Sequence, residues 1–468
     1  MATKARTRTP PEKTVPWNSR RLLPRPNNTS AAISSPQHAP APLPAPSAAP
    51  QMTSIGLFLL CTYLFLTYSR IVEIGIIKGL PGIFLHVQLV IGGVAVIILV
   101  GSQRFMNWVS TKDGKYLLCF TGWMLVGIPF SVWRSHSVSI LLNNWLESFL
   151  VFALIVGFCL TVRTIKIVVY TVGLATFCLS LSALLFGSLD SGRLYFLPVG
   201  KYSNPNDLAL VLLVGLPFLW RFSIRQRGLG IRTVFGIAAC ALVIWIVLQT
   251  GSRGGLVALA GMLLIWFLRA PLNTKVALAA VVLLLVPCAL VLMPNSVRAR
   301  YATLVESEED LDSGERQVEY AVSSQENRLF LFQKSLLFTA RRPVLGGGAG
   351  NFTVMLMHEM EDLHITGAHR ESHNTYTQIS SELGIPALVF FLLALGCNIR
   401  RLRRAIRDSV IDRPLGVAIL VSLIGWSISA VFNSIAYDGY APLLLGLSLA
   451  FARATQIPGN AAGQSLPR

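Results

Sequence analysis

Residues 232–268 read RTVFGIAACALVIWIVLQTGSRGGLVALAGMLLIWFL: two apolar runs joined by Thr250-Gly251-Ser252-Arg253-Gly254-Gly255. An apolar helix of about 20 residues crosses a bilayer, and a tight polar turn between two such runs makes a membrane hairpin. The pattern recurs on both sides. Apolar stretches fall at 52–69, 79–101, 116–132, 144–162, 165–188, 206–220, 232–250, 254–268, 276–293, 384–399, 414–434 and 438–452. The fold expected is therefore an all-α polytopic membrane protein with about 12 transmembrane helices and one long periplasmic loop containing short helices. Only 13% of the 468 residues are charged and 53% are hydrophobic, which excludes an ordinary soluble enzyme and a disordered chain.

The charges set an orientation. With the N-terminus inside, the inner loops hold 17 Lys and Arg, and the short outer loops hold 6. Such a bias is what insertion selects, and moving the count by one span inverts it. Both termini are then cytoplasmic. Because the basic residues sit in short loops, the net charge of +18 does not imply nucleic acid. All seven cysteines fall in apolar stretches, which argues against disulfides and cysteine-held metal. Residues 1–50 carry 11 of the 25 prolines and 7 basic residues, and read as a disordered cytoplasmic tail. Ser19-Arg20-Arg21-Leu22-Leu23 resembles a twin-arginine signal, but Pro-rich sequence follows where an apolar core is required. The remaining divisions are helices 1–9 over 51–293, the periplasmic loop over 294–383, helices 10–12 over 384–453 and a cytoplasmic tail over 454–468.

The long loop carries 13 acids and 8 bases. Glu306–Glu326 reads as a solvated, mobile insert, and Asn327–Ala340 as a short helix with a broad apolar surface. Four polar constellations share the outer face. Arg193 and Lys201 precede Asn204-Pro205-Asn206-Asp207, where Asn204 or Asn206 suits an N-cap. Arg253 lies between apolar spans with no acidic neighbour in sequence. It needs an anion if buried, or else it snorkels to headgroups. Gly346-Gly347-Gly348-Ala349-Gly350 either forms a plain turn or offers consecutive amides to an anion. His373-Asn374, with His364, His369, Glu371 and Glu382 nearby, offers an imidazole that titrates near neutrality; its His-Arg-Glu-Ser-His spacing is not a zinc-protease pattern. Asp310-Leu311-Asp312 has the Asp-x-Asp form of metal-dependent glycosyltransferases. It lies in an acidic run on the side of the membrane without nucleotide sugars.

Ser252-Arg253-Gly254-Gly255, a long outer loop, the glycine turn, and then His373-Asn374 with nine residues before Gly384 together resemble the O-antigen ligase / polysaccharide polymerase superfamily. The position three beyond Gly384 is Ala387, where ligases carry Gly, Thr or Tyr; related polymerases also carry His-Asn. The resemblance implies an inner-membrane enzyme with a periplasmic active site and no metal or cofactor. It would transfer a glycan, with inversion, from an undecaprenyl-diphosphate carrier to an acceptor hydroxyl on lipid A–core or a growing polysaccharide. On that reading Arg253 and His373 are catalytic, and Arg193, Arg328, Ser252, Asn374, Gly348 and Gly350 bind substrate. A surface-polysaccharide polymerase, a protein O-glycosyltransferase and a lipid-linked glycan transporter are the alternatives.

Overall fold

The computed structural model describes residues 50–102, 108–109, 111–190, 193–197, 203–223, 230–269, isolated positions from 272 to 291, and residues 293–302, 316–362, 371–409 and 411–456. The sequence-predicted tail over 1–50, all but Pro50, the ninth span over 276–293 in most of its length, His364, His369, Lys201 and Asp310-Leu311-Asp312 lie outside them.

The described chain is mostly helical. In order, the main helices are α1 (Pro50–Ser69), α2 (Ile71–Ile77), α3 (Leu85–Gly101), α4 (Lys112–Gly127), α5 (Arg134–Phe158), α6 (Val162–Phe186), α7 (Pro205–Ser223), α8 (Ile231–Gln249) and α9 (Arg253–Arg269). After them come α10 (Asn295–Ala302), α11 (Arg316–Arg341), α12 (Phe352–Asp362), α13 (Thr375–Asp408), α14 (Arg413–Ser429) and α15 (Tyr440–Gln456). Among the described residues, six helices are long and apolar enough to cross a membrane, or seven if the bent pair α1–α2 counts as one span. Among the described residues, helices occupy the other expected stretches too, but several, such as α9 and α15 at 17 residues, fall short of that length.

Local sequence sets the helix ends. Thr161 and Thr164 form a reciprocal capping box at the start of α6. Thr111 caps α4, and Asp412 caps α14, whose second residue is Pro414. Helix α7 is buried along nearly its whole length, as is α15, so each is apolar on every side and forms the centre of the bundle. Helix α3 instead exposes Leu89, Val90, Ile97 and Val100, an apolar face suited to lipid.

Two expectations need correction. A two-stranded antiparallel hairpin, β1 (Ser188–Asp190) and β2 (Arg193–Tyr195), interrupts the all-α fold. Strands of three residues are too short for an alternating pattern to show in sequence. The loop helix α11 is also longer than expected: it begins at Arg316, inside the stretch read as a mobile insert. Its Leu331 and Phe338 pack against Phe352 and Leu356 of α12, a small core of its own. Lys334 and Arg341 both bind Glu359 across the same pair of helices, which holds that carboxyl below its usual range.

The two ends of the bundle differ in chemistry. At one end Asp412 binds Lys166 at 2.6 Å and Arg221 at 2.8 Å, gathering cations from two loops that the charge count placed inside. Arg221 lies 15 residues along α7 from Asn206, a rise of about 22 Å. Asn206 is bonded to Arg193, so that pair lies at the opposite end of the helix.

Candidate functional site

Four segments distant in sequence build the candidate site. The β-hairpin delivers Arg193. Its Nε donates to the Thr250 carbonyl at 3.1 Å and its Nη2 to Asn206 Oδ1 at 2.9 Å. It thereby ties the α8–α9 turn to the start of α7. In that turn Gly251 adopts φ 60°, which a side chain would resist. Ser252 Oγ accepts from the Gly255 amide at 3.1 Å and caps α9. Arg253 is 8% exposed at the first position of that helix, and its Nη1 donates to Gln325 Oε1 of α11 at 3.0 Å.

Gln325 and Arg328 are one turn apart on α11 and so are neighbours on its surface. Arg328 and Arg193 both act electrostatically on His373. The guanidinium groups of Arg193 and Arg328 and the imidazole thus belong to one site, and Arg253 joins it through Gln325. His373 sits in the left-handed region at φ 51°. Its amide donates to Ser434 Oγ at 2.8 Å, while Ser434 Oγ also bonds Ser372 Oγ at 3.0 Å. Burial first, then Arg328 and Arg193, lower its pKa from 6.5 to about 4. The imidazole is neutral at pH 7 and free to accept a proton.

Carboxylates stand beside the cations. Asp207, Glu371 and Asp438 lie within electrostatic reach of one another, and Arg193 acts on Asp207. Desolvation, and then Asp438, lift the Glu371 carboxyl above the usual carboxylate range even though its side chain reaches the surface.

Asn374 has a structural task. Its Oδ1 accepts from the Tyr376 and Thr377 amides at 3.0 and 3.1 Å, capping α13. The cap at this helix start is therefore the asparagine and not the histidine. Similarly, Asn204 rather than Asn206 caps α7, accepting from the Asn206 amide at 3.0 Å.

The glycine turn is a nest already filled from within. Glu382 is buried, and its Oε2 accepts from the Gly350 amide at 2.8 Å and from Tyr437 Oη at 2.6 Å. Its Oε1 accepts from the Phe352 amide at 3.2 Å, at the start of α12. The Gly348 amide goes to the Glu382 carbonyl at 2.7 Å. Gly346, Gly348 and Gly350 all have positive φ. A Cβ on Gly348 would run into Ser131, and one on Gly350 into Ile140 and His136. The Gly348 amide is thus bonded to the Glu382 main chain and the Gly350 amide to its carboxylate, an anion of the kind such a nest attracts.

Sequence reasoning assigned no functional residue within 430–439. Besides Ser434, the Asn433 carbonyl accepts from Thr375 Oγ1 at 2.6 Å, and the Ala436 amide donates to Gln378 Oε1 at 3.2 Å. This segment frames His373. It carries no glycine run, charge cluster or periodicity, so no local signal marks it. Gln325 is equally silent in sequence.

Residues 238–392 match the family model described as O-Antigen ligase. The matched stretch contains Arg253, Arg328, His373 and Gly384 but not Arg193. Over it, the resemblance to the O-antigen ligase-like superfamily holds. Together with the apolar helices, it supports a membrane protein engaged in ligase- or polymerase-type glycosyl transfer on lipid-linked glycan and polysaccharide substrates. A comparison with curated proteins gives no match.

Proposed function

We propose that this protein transfers a glycan from an undecaprenyl-diphosphate carrier to an acceptor hydroxyl, with inversion and without a metal, at the periplasmic face of a bacterial inner membrane. The observation that supports this reading is that Arg193 and Arg328, from separate segments, both act on the neutral imidazole of His373, while Arg253 bonds Gln325 one turn from Arg328 on the same helix. The leaving group of such a transfer is a diphosphate whose charge grows as the glycosidic bond breaks. Fixed guanidinium groups stabilise that charge more in the transition state than in the ground state. Arg is suited to this because its planar fork binds phosphate oxygens in a set orientation. His373 takes the proton of the acceptor hydroxyl as that oxygen attacks the anomeric carbon from the face opposite the diphosphate. A single displacement inverts the configuration there.

Attachment to lipid A–core makes the enzyme a ligase. Ala387, in place of the Gly, Thr or Tyr of ligases, favours a polymerase that extends a surface polysaccharide. The two products differ in size and attachment point. The test is a reconstituted transfer with lipid-linked glycan. Arg253→Ala is expected to lower kcat by about 10²–10³-fold while the protein stays folded and inserted. His373→Ala is expected to block transfer and still bind the carrier. Near-normal transfer by either variant, or loss of transfer on chelation with recovery on adding metal, refutes the assignment. Glycan translocation without transfer identifies a transporter.

A further inference from the structure

A cleft of about 40 Å³ opens between α1, α5 and the start of α15, apart from the arginine cluster. Tyr63, Tyr68, Arg70, Glu147, Asp438 and Tyr440 line it, and Val151 is its single aliphatic wall. It adjoins the site through the segment that holds His373. Ser434 bonds the His373 amide, and four residues on, Asp438 and Gly439 form one side of the cleft. The same segment is pinned from the cleft side: Tyr68 Oη donates to the Gly439 carbonyl at 3.3 Å and Ser148 Oγ to the Tyr437 carbonyl at 2.9 Å. Tyr63 Oη donates to Glu147 Oε1 at 2.7 Å, which fixes one carboxylate oxygen and leaves the group open to solvent. The Tyr68 and Tyr440 rings stand 5.0 Å apart.

The chemistry sorts the candidate ligands. The lining is largely aromatic carbon interrupted by two carboxylates, with Val151 its one aliphatic side chain, a poor bed for a prenyl chain. A diphosphate meets Glu147 and Asp438, which repel it, whereas Arg193, Arg253 and Arg328 attract it elsewhere. The volume admits about three water molecules, which is also the space taken by two or three hydroxyl groups. Carboxylates accept from hydroxyls, and tyrosine rings pack against the C–H face of a sugar, while Arg70 is held at the rim by its ion pair with Glu73. We infer that this cleft is an acceptor subsite that receives the hydroxyl-bearing edge of a sugar ring and aims a neighbouring hydroxyl at His373. The inference rests on the glycosyl-transfer reading. It adds a division of labour: cations for the donor, carboxylates and tyrosines for the acceptor.

Direct sugar binding tests it without any transfer. The full chain, purified in detergent and free of donor, is titrated with glucose, galactose, N-acetylglucosamine or glucuronate and read by saturation-transfer NMR. At least one neutral sugar is expected to bind, glucuronate more weakly. Glu147→Gln, a solvent-open change that keeps an acceptor for Tyr63, is expected to weaken that binding about tenfold, the loss of one charged hydrogen bond. In the transfer assay it raises the acceptor KM by a similar factor and leaves the donor KM unchanged. Absence of any sugar signal from the wild type, or equal binding by Glu147→Gln, overturns the subsite. So does displacement of the sugar by inorganic pyrophosphate, which places it in the donor site, or by calcium, which makes the cleft a cation site. Failure of the glycosyl-transfer reading is seen separately, in the Arg253→Ala reaction.

Discussion

Replacing Arg328 with Gln is expected to raise the pKa of His373 and shift the acid limb of the pH profile upward. In the free protein this imidazole titrates at about 4 rather than 6.5. At 1.36 kcal/mol per pH unit the drop disfavours the imidazolium by about 3 kcal/mol. Burial supplies the largest share, and Arg328 and Arg193 divide the remainder. Removing one of the two charges therefore recovers only part of the drop, about half to one pH unit. The sign is fixed by the role: transfer needs the neutral imidazole, so activity falls as pH drops through the His373 pKa. In kcat/KM, which reports the free enzyme, the limb lies near 4 for the wild type and higher for Arg328→Gln. A bound diphosphate offsets the arginine charges, so the limb in kcat, which reports the complex, lies at higher pH than the limb in kcat/KM. Glu371 lies beside the same groups, its carboxyl lifted above the usual range by burial and by Asp438. Glu371→Gln is the control. The measurement is initial rate of reconstituted transfer across the acid range with saturating and limiting donor. A limb that ignores Arg328→Gln and moves with Glu371→Gln, or a kcat limb below the kcat/KM limb, refutes the reasoning.

Ser434→Ala removes the acceptor of the His373 amide and is expected to lower kcat about tenfold with the donor KM unchanged, by loosening a left-handed residue; Ser434→Thr restores most of the rate. Glu382→Leu orphans two amides and a tyrosine hydroxyl in the interior, and a loss of about 3 kcal/mol or more in stability is expected by thermal unfolding in detergent. Asp412→Asn keeps a cap for α14 but releases Lys166 and Arg221. It is expected to cost about 1–3 kcal/mol in the same measurement while the transfer rate holds, because this cluster lies at the far end of the bundle.

The extent to which this protein is legible in one dimension follows the range of the forces involved. Hydrophobic run length and loop charge act locally, so the helical stretches and the grouping of Lys166 and Arg221 at one end could be read directly. The turn around Arg253 and the His373-Asn374 pair also stood out, because glycines and isolated charges within apolar sequence are locally costly. Which amide would satisfy which carboxylate was not legible. Gly350 and Glu382 are 32 residues apart, and the nest looks the same in sequence whether a ligand or the protein's own side chain fills it. The segment from Asn433 to Asp438 holds His373 by contacts some 60 residues long in sequence, made with ordinary serine, threonine and main-chain groups. Composition thus determined that the chain is a helical membrane protein with isolated cations between its apolar stretches. Only packing decided that Arg193 and Arg328 come within electrostatic reach of one imidazole and that Arg253 bonds Gln325, because a hydrogen bond or a Coulomb interaction depends on distance in space, and the bundle sets that distance.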